Sequence, residues 1–205
     1  MKTYLFWLFC LVQAGFGMTP SDALQRLKEG NSRYAQDLPL NADHSTARRE
    51  SLVEGQAPFA TIVSCSDSRV TPEIIFDQDM GDLFVVRVAG NVVGPIELDS
   101  IDYSVKILGS SLVLVLGHES CGAVKAVLDK NTSDIEHIAE MIEPAVKNTT
   151  DVETAVKKNV RYYVQSIQKS SFIRQRIAQK KLSCVGAYYS IATGQVEFMS
   201  LSFIP

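Results

Sequence analysis

The sequence has little of several features that would mark a specialised class of protein. Its 20 Lys and Arg against 23 Asp and Glu leave a formal charge of -3, so no strong electrostatic attraction to nucleic acid or an anionic membrane is expected. It has one Trp, three His and four Cys, and no repeat or low-complexity tract. A hydrophobic fraction of 46% over 205 residues is typical of an ordinary globular chain with room for one domain.

Residues 1–17 have the pattern of an export signal. One Lys precedes an apolar run that begins at Tyr4, and small residues follow. The run is well short of the roughly 20 apolar residues that a membrane-spanning helix needs. The alternative, a buried N-terminal helix, is disfavoured because the segment has no polar face. We expect cleavage near Gly17, or alternatively at Ala14, and a periplasmic or secreted protein without a stable membrane anchor. The remaining chain, 18–205, is expected to form a single domain.

Short, nearly continuous apolar runs predict strands buried on both faces of a sheet. "PFATIVSC", "DLFVVRVAG" and "SLVLVLGH" are such runs, and strand–helix–strand order between the last two implies a right-handed crossover. Two helices are expected before the first strand, the first of them ending at Gly30–Asn31. Polar helical stretches extend to about Lys180, and "LSCVGAYYS" with "QVEFMSLSF" predicts a closing hairpin. The predicted fold is α/β: a mostly parallel central β-sheet flanked by helices, with N-terminal helices and a C-terminal hairpin.

Metal-ligating residues follow two of these strands. Cys65 ends the first strand with Asp67 two residues later, and His118 and Cys121 follow the third. An open α/β sheet places its ligands at the carboxyl ends of its strands, so these residues are expected to meet. Two thiolates, an imidazole and a carboxylate suit zinc. We predict one zinc ion per chain, with Cys65, Asp67, His118 and Cys121 as its ligands.

The remaining Cys and His residues are expected to have no part in this site. Cys10 lies in the export signal, and Cys184 lies in an apolar strand, where it is expected to be a small buried hydrophobic residue. His44 and His137 lie in polar helical stretches.

Arg69 favours a catalytic centre over a structural one. Four protein ligands leave zinc no open position, and a structural site needs no guanidinium two residues after a carboxylate ligand. A guanidinium can hold a carboxylate through two hydrogen bonds and draw it off the metal. The vacated position then admits water, whose pKa falls towards neutrality on zinc. The alternative is a surface arginine that pairs with Asp67 beside some other site.

Taken together, "CSDSRV" and "GHESCGAV" make this chain resemble the beta-class carbonic anhydrases, over nearly the whole region after the signal. The resemblance implies that Cys65, His118 and Cys121 hold zinc permanently. It implies that Asp67 and Arg69 decide whether the fourth ligand is carboxylate or water. The implied reaction is the reversible hydration of carbon dioxide to bicarbonate and a proton, by attack of zinc-bound hydroxide.

Three further positions match the open-site subtype of that family by their offsets. Gln56 stands nine residues before Cys65, Phe84 nineteen after it, and Tyr103 fifteen before His118. The resemblance implies that they bind substrate: the Gln56 amide steers an oxygen, Phe84 forms an apolar wall and Tyr103 shapes the cleft. The residues alone would favour core packing for Phe84 and Tyr103. The allosteric subtype's Trp-Arg-Tyr trap cannot form, because the only Trp lies within 1–17.

The resemblance also implies a homodimer or a higher homo-oligomer with active sites at the dimer interface. Two other functions remain open from the sequence. One is hydrolysis of carbon disulfide or carbonyl sulfide on the same scaffold, and the other is a non-catalytic zinc-binding protein, against which Arg69 speaks.

Overall fold

The computed structural model describes residues 18–40 and 43–199. The predicted signal segment, 1–17, which includes Cys10, and residues 200–205, which include the end of the last predicted strand, lie outside the described residues. Within the described ranges, none of the helices combines the length and the apolar character needed to cross a membrane.

A five-stranded sheet forms the centre of the molecule. Its strands are β1 (Ala60–Ser64), β2 (Leu83–Arg87), β3 (Leu112–His118), β4 (Ser183–Tyr189) and β5 (Val196–Met199). Their spatial order is β2-β1-β3-β4-β5. The first four strands run parallel and β5 is antiparallel to β4. The predicted mostly parallel sheet with a closing hairpin is therefore confirmed.

Helices precede, connect and follow the strands. They are α1 (Pro20–Ala35), α2 (Thr46–Ser51), α3 (Pro72–Ile75), α4 (Pro95–Tyr103), α5 (Gly122–Leu128), α6 (Glu136–Val146), α7 (Val152–Ile167) and α8 (Ser171–Ala178). A π-helical turn, Ser104–Leu108, continues α4 to Gly109, whose φ of 81° lies in the left-handed region that glycine adopts readily. The second predicted helix is real but short, and α3 was not expected from the sequence.

The predicted end of the first helix at Gly30–Asn31 is wrong, because α1 continues to Ala35. Gly30 faces the backbone of Phe76, and a Cβ at this position would lie 1.8 Å from the Phe76 carbonyl oxygen. The glycine therefore permits a close approach between α1 and the segment after α3. Asn31 lies on the buried face of α1, where its amide is satisfied because it donates to the carbonyl oxygens of Ile75 and Gly194.

Hydrophobic residues pack on both faces of the sheet, which is why β1 and β3 are buried along their whole length. Alternate residues of a strand point to opposite faces. Val63 and Val115 pack on the side of α7, whereas Ile62 and Leu114 pack on the side of α1. The central strands are thus held between helices, and their carboxyl ends share one edge.

Candidate metal centre

Three of the four predicted ligands converge at the carboxyl end of the sheet. The sulfur atoms of Cys65 and Cys121 and a ring nitrogen of His118 all lie within 4.8 Å of one another, and all three residues are buried. Cys65 directly follows β1, His118 ends β3, and Cys121 is the N-cap of α5. Because β1 and β3 are parallel neighbours, their last residues come together.

The histidine presents one nitrogen to this cluster. His118 Nδ1 lies 2.9 Å from the backbone oxygen of Glu119, while the buried Nε2 has no hydrogen-bond partner among the described residues. With its proton on Nδ1, the ring donates to that carbonyl and keeps the Nε2 lone pair for a metal. Glu119 is fixed in turn, since its carboxylate accepts from Ser190 Oγ and from the backbone N–H of Ala192.

Without a cation between them, the thiols of Cys65 and Cys121 do not both ionise readily. Hydrogen bonding from Cys121, supported by His118 and by backbone amides, lowers the pKa of Cys65 to about 4. The neighbouring Cys65 sulfur, together with burial, raises the pKa of Cys121 far above its usual value. A divalent cation between the sulfurs would stabilise both thiolates and remove the conflict. Two sulfurs and one imidazole nitrogen around it fit zinc.

Asp67, the fourth predicted ligand, is turned towards Arg69. Arg69 Nε donates to Asp67 Oδ1 at 2.9 Å and Nη2 donates to Oδ2 at 2.7 Å. Oδ2 lies 4.0 Å from His118 Nε2, beside the three ligands rather than among them. The guanidinium holds the pKa of this carboxyl well below its usual range. A short movement of the Asp67 carboxylate would add it to Cys65, His118 and Cys121 as a fourth ligand.

Two residues that the sequence analysis did not single out hold the turn that carries Cys65 and Asp67 in place. Arg87, the last residue of β2, donates from Nε to the carbonyl oxygen of Cys65 and from Nη2 to that of Asp67. The backbone N–H of Gly90 donates to Cys65 Sγ at 3.3 Å. The available signal was weak: Arg87 ends and Gly90 follows the edge strand β2, whose carboxyl end lies at the same edge of the sheet.

Gln56, Phe84 and Tyr103 are not brought to the metal ligands of their own chain. Gln56 is exposed in the loop before β1, at the amino end of the sheet. Phe84 pairs with Thr61, four residues before Cys65, which corresponds to about 13 Å along a strand. Its ring contacts that of Tyr103, with centroids 6.3 Å apart. The three residues share the amino half of the sheet, and the metal ligands lie at the opposite end.

Among the described residues, the remaining cysteine and the other two histidines lie outside this cluster. Cys184 on β4 is partly buried against the core, and burial raises its pKa to about 12. His44 and His137 are exposed and belong to no metal-binding group among the described residues.

Comparison with known proteins identifies the family. Residues 60–196 match the family model described as carbonic anhydrase. A carbonic anhydrase of Mycolicibacterium smegmatis is 38% identical over 193 residues, which cover 88% of this chain and 94% of the relative. Carbonic anhydrase 2 of Mycobacterium tuberculosis is 38% identical over 188 residues, covering 86% and 91%. The solved beta-carbonic anhydrase CcaA superposes with a TM-score of 0.66 at 26% identity, covering 88% of this chain and 92% of that one. The chain belongs to the beta-carbonic anhydrase family.

Proposed function

We propose that this protein catalyses the reversible hydration of carbon dioxide to bicarbonate and a proton, with one zinc ion held by Cys65, His118 and Cys121. The observation that carries the proposal is the pairing of a buried three-ligand cluster with a carboxylate that Arg69 holds 4.0 Å from His118 Nε2. Three protein ligands with a vacant fourth position are the hallmark of catalytic zinc, whereas structural zinc has four. Family membership supports the same reaction.

When bound, zinc supplies Lewis acidity, which generates a nucleophile from water near neutral pH. The residues of the chain then orient the reaction. Asp67, ionised and held at both oxygens by Arg69, is placed to accept a hydrogen bond from the attacking oxygen and so to direct its lone pair at carbon. The arginine keeps Asp67 from becoming a fourth ligand. Arg87 fixes the backbone of the same turn.

A second copy of the chain is proposed to complete the substrate-binding part of the site. Phe84 pairs with Thr61, about 13 Å along the strand from Cys65, Tyr103 lies against Phe84, and Gln56 precedes β1, so we propose that the three residues serve the metal centre of another copy. Large apolar side chains are exposed along the helix that carries Tyr103: Ile96 at 78% in the first turn of α4, the half-exposed Tyr103 at its end, and Ile107 at 69% in the π-helical turn. Such a patch is typical of an interface between subunits. We propose a homodimer, or a higher homo-oligomer built from it.

Export is proposed from residues 1–17 alone. The mature protein, 18–205, would act in the periplasm or outside the cell, where it would interconvert carbon dioxide and bicarbonate. Mass spectrometry of the protein from its own cells checks this: a mature chain that begins near Met18 is expected. Full-length chain recovered from the cytosol would contradict it.

Stopped-flow carbon dioxide hydration by the zinc-loaded chain from Met18 onward tests the function. The matched variants are Cys65→Ser, which removes a proposed ligand, and Cys184→Ser, which removes a thiol outside the cluster. We expect rapid hydration by the wild type and Cys184→Ser, and loss of both zinc and hydration in Cys65→Ser.

Two results would contradict the proposal. Zinc-loaded wild type that hydrates no carbon dioxide at any pH but hydrolyses carbon disulfide or carbonyl sulfide would reassign the substrate. Zinc binding without turnover of any of the three substrates would make the protein a non-catalytic zinc binder.

A further inference from the structure

A buried asparagine on α7 contacts the residue that hydrogen-bonds the Cys65 sulfur. Asn159 is fully buried, and its Nδ2 donates to the carbonyl oxygen of Gly90 at 2.8 Å. The backbone N–H of the same Gly90 donates to Cys65 Sγ at 3.3 Å. The second amide on this sulfur, from Asp67 at 3.4 Å, comes from the ligand's own turn. Of the two backbone N–H groups that donate to the Cys65 sulfur, the one from Gly90 is therefore the one that lies outside the Cys65–Asp67 turn.

Gly90 needs to be held, because its backbone conformation is unusual. Its φ of 70° and ψ of 15° lie in the left-handed region, and a Cβ there would meet Ile142 Cδ1 at 2.7 Å. Glycine is the residue that both the angle and the space allow. A glycine also has the most backbone freedom of any residue, so its N–H points at the sulfur only if something else fixes the turn. Asn159 does so from the carbonyl side.

The helix that carries Asn159 also supports the histidine ligand. Val156 and Val160, on the same helix, fill the space where a Cβ at Gly117 would lie, each 2.6 Å from that point. Gly117 immediately precedes His118 at the end of β3. Helix α7 therefore packs directly against β3, which carries His118. Through Gly90 it is also linked to the sulfur of Cys65.

We propose that Asn159 is a positioning residue for the metal centre: it holds the Gly90 amide on the Cys65 thiolate and so sets the strength and geometry with which that sulfur binds zinc. Hydrogen bonds from outside the ligand set orient ligands and tune the metal, and their loss typically costs about 10- to 100-fold in metal affinity or activity. The inference rests on the proposed zinc site of Cys65, His118 and Cys121, but its readout is metal binding and not turnover.

The test compares Asn159→Leu with Asn31→Leu. Both asparagines are buried, and both donate from Nδ2 to backbone carbonyl oxygens, but Asn31 bonds Ile75 and Gly194 away from the metal ligands. Both variants are expected to lose stability in thermal unfolding, because each leaves buried carbonyl oxygens unpaired. Only Asn159→Leu should weaken zinc, by about 10- to 100-fold in competition with a chelator. Only Asn159→Leu should change the thiolate-to-metal charge-transfer absorption of the cobalt(II)-substituted protein.

Equal zinc affinity and unchanged cobalt spectra in the two variants would overturn the inference. If Asn159→Leu does not fold, Asn159→Ala replaces it, since alanine has no group that can donate to the Gly90 oxygen. Wild-type affinity and spectrum in Asn159→Ala would likewise overturn the inference. A wild type that binds zinc but hydrates no carbon dioxide would contradict the proposed function and leave this inference standing.

Discussion

The two ends of the sheet differ in how much of a site each one builds. At the carboxyl end, buried Cys65, His118 and Cys121 converge within 4.8 Å. At the amino end, Phe84 and Tyr103 contact each other, and Tyr103 is half exposed, with Gln56 in an exposed loop. One chain thus brings the three metal ligands together by itself, whereas Gln56 and Tyr103 are exposed and Phe84 is half-buried beside Tyr103. The proposed dimer would explain the difference, because metal binding would then belong to the subunit and substrate binding to the assembly.

The largest expected effect tests whether the carboxyl end is a single metal centre. Cys121→Ser removes one of the three ligands, so zinc affinity should fall by more than about 100-fold, beyond the range typical of residues outside the ligand set. Cys184→Ser is the control, because its thiol lies on β4 outside the cluster. Zinc content after dialysis against a chelator measures both. Retention of zinc by Cys121→Ser would show that the cluster is not the binding site.

The next effect distinguishes residues needed for metal binding from residues needed for the reaction at the carboxyl end of the sheet. Arg69→Gln releases Asp67, whose Oδ2 needs only a short movement from 4.0 Å to join the ligands. Zinc should then be retained, while carbon dioxide hydration falls by about 100-fold or more, the range typical of a positioned catalytic group. Arg161→Gln, an exposed arginine of α7, is the control. Hydration near the wild-type rate in Arg69→Gln would mean that Asp67 needs no arginine to stay off the metal.

A smaller effect tests the exposed apolar side chains along α4 and its π-helical turn, and the need for a second copy. Ile96→Asp with Ile107→Asp puts two charges on the exposed apolar patch, where folding of the single chain should be little affected. Analytical ultracentrifugation should find monomers with full zinc content, and hydration should fall about 10-fold or more because substrate contacts are no longer aligned. Monomers with wild-type hydration would show that each chain's centre works alone.

The sequence was sufficient where function depends on neighbours along the chain. The apolar runs before Cys65 and His118 predict buried strands, and parallel strand ends meet at one edge, so the cluster follows from local pattern and topology. These are short-range features that a single sequence displays.

The sequence was insufficient where a residue's purpose lies far along the chain. Gly30 appeared to end a helix, yet it makes room for the Phe76 carbonyl. Asn159 looked like one more polar residue in a helical stretch, yet it bonds Gly90, 69 positions away. Offsets matched Gln56, Phe84 and Tyr103 to substrate-binding positions, but offsets do not say on which subunit a residue acts. Packing partners, not residue types, decide these cases.

The smallest effect concerns the helix that supports the metal end alone. Asp151 caps α7, its carboxylate accepting the Thr154 N–H at 2.8 Å, and these hydrogen bonds lower its pKa below the ordinary value of 3.8. A carboxyl with a depressed pKa stabilises the fold fully above its unfolded pKa and loses that contribution as pH falls towards the folded value. Asp151→Ala should therefore lower the melting temperature by about 2 to 4 °C near pH 6, and the difference from wild type should shrink below about pH 4.

Asp151→Asn is the matched control, because asparagine caps helices equally well without a titrating group. Its melting temperature near pH 6 should lie close to that of the wild type, since the cap is kept. A loss in Asp151→Ala that persists unchanged at pH 3 would show that the cap acts through packing and not through its carboxylate. Loss of the proposed dimer in Asp151→Ala would show that the stability of α7 is coupled to the subunit interface. If the proposed dimer persists while only the melting temperature falls, the cap of α7 and the subunit interface are independent. That is the expected result, because α7 packs against β3 beside His118 and its cap lies outside the apolar patch of Ile96 and Ile107.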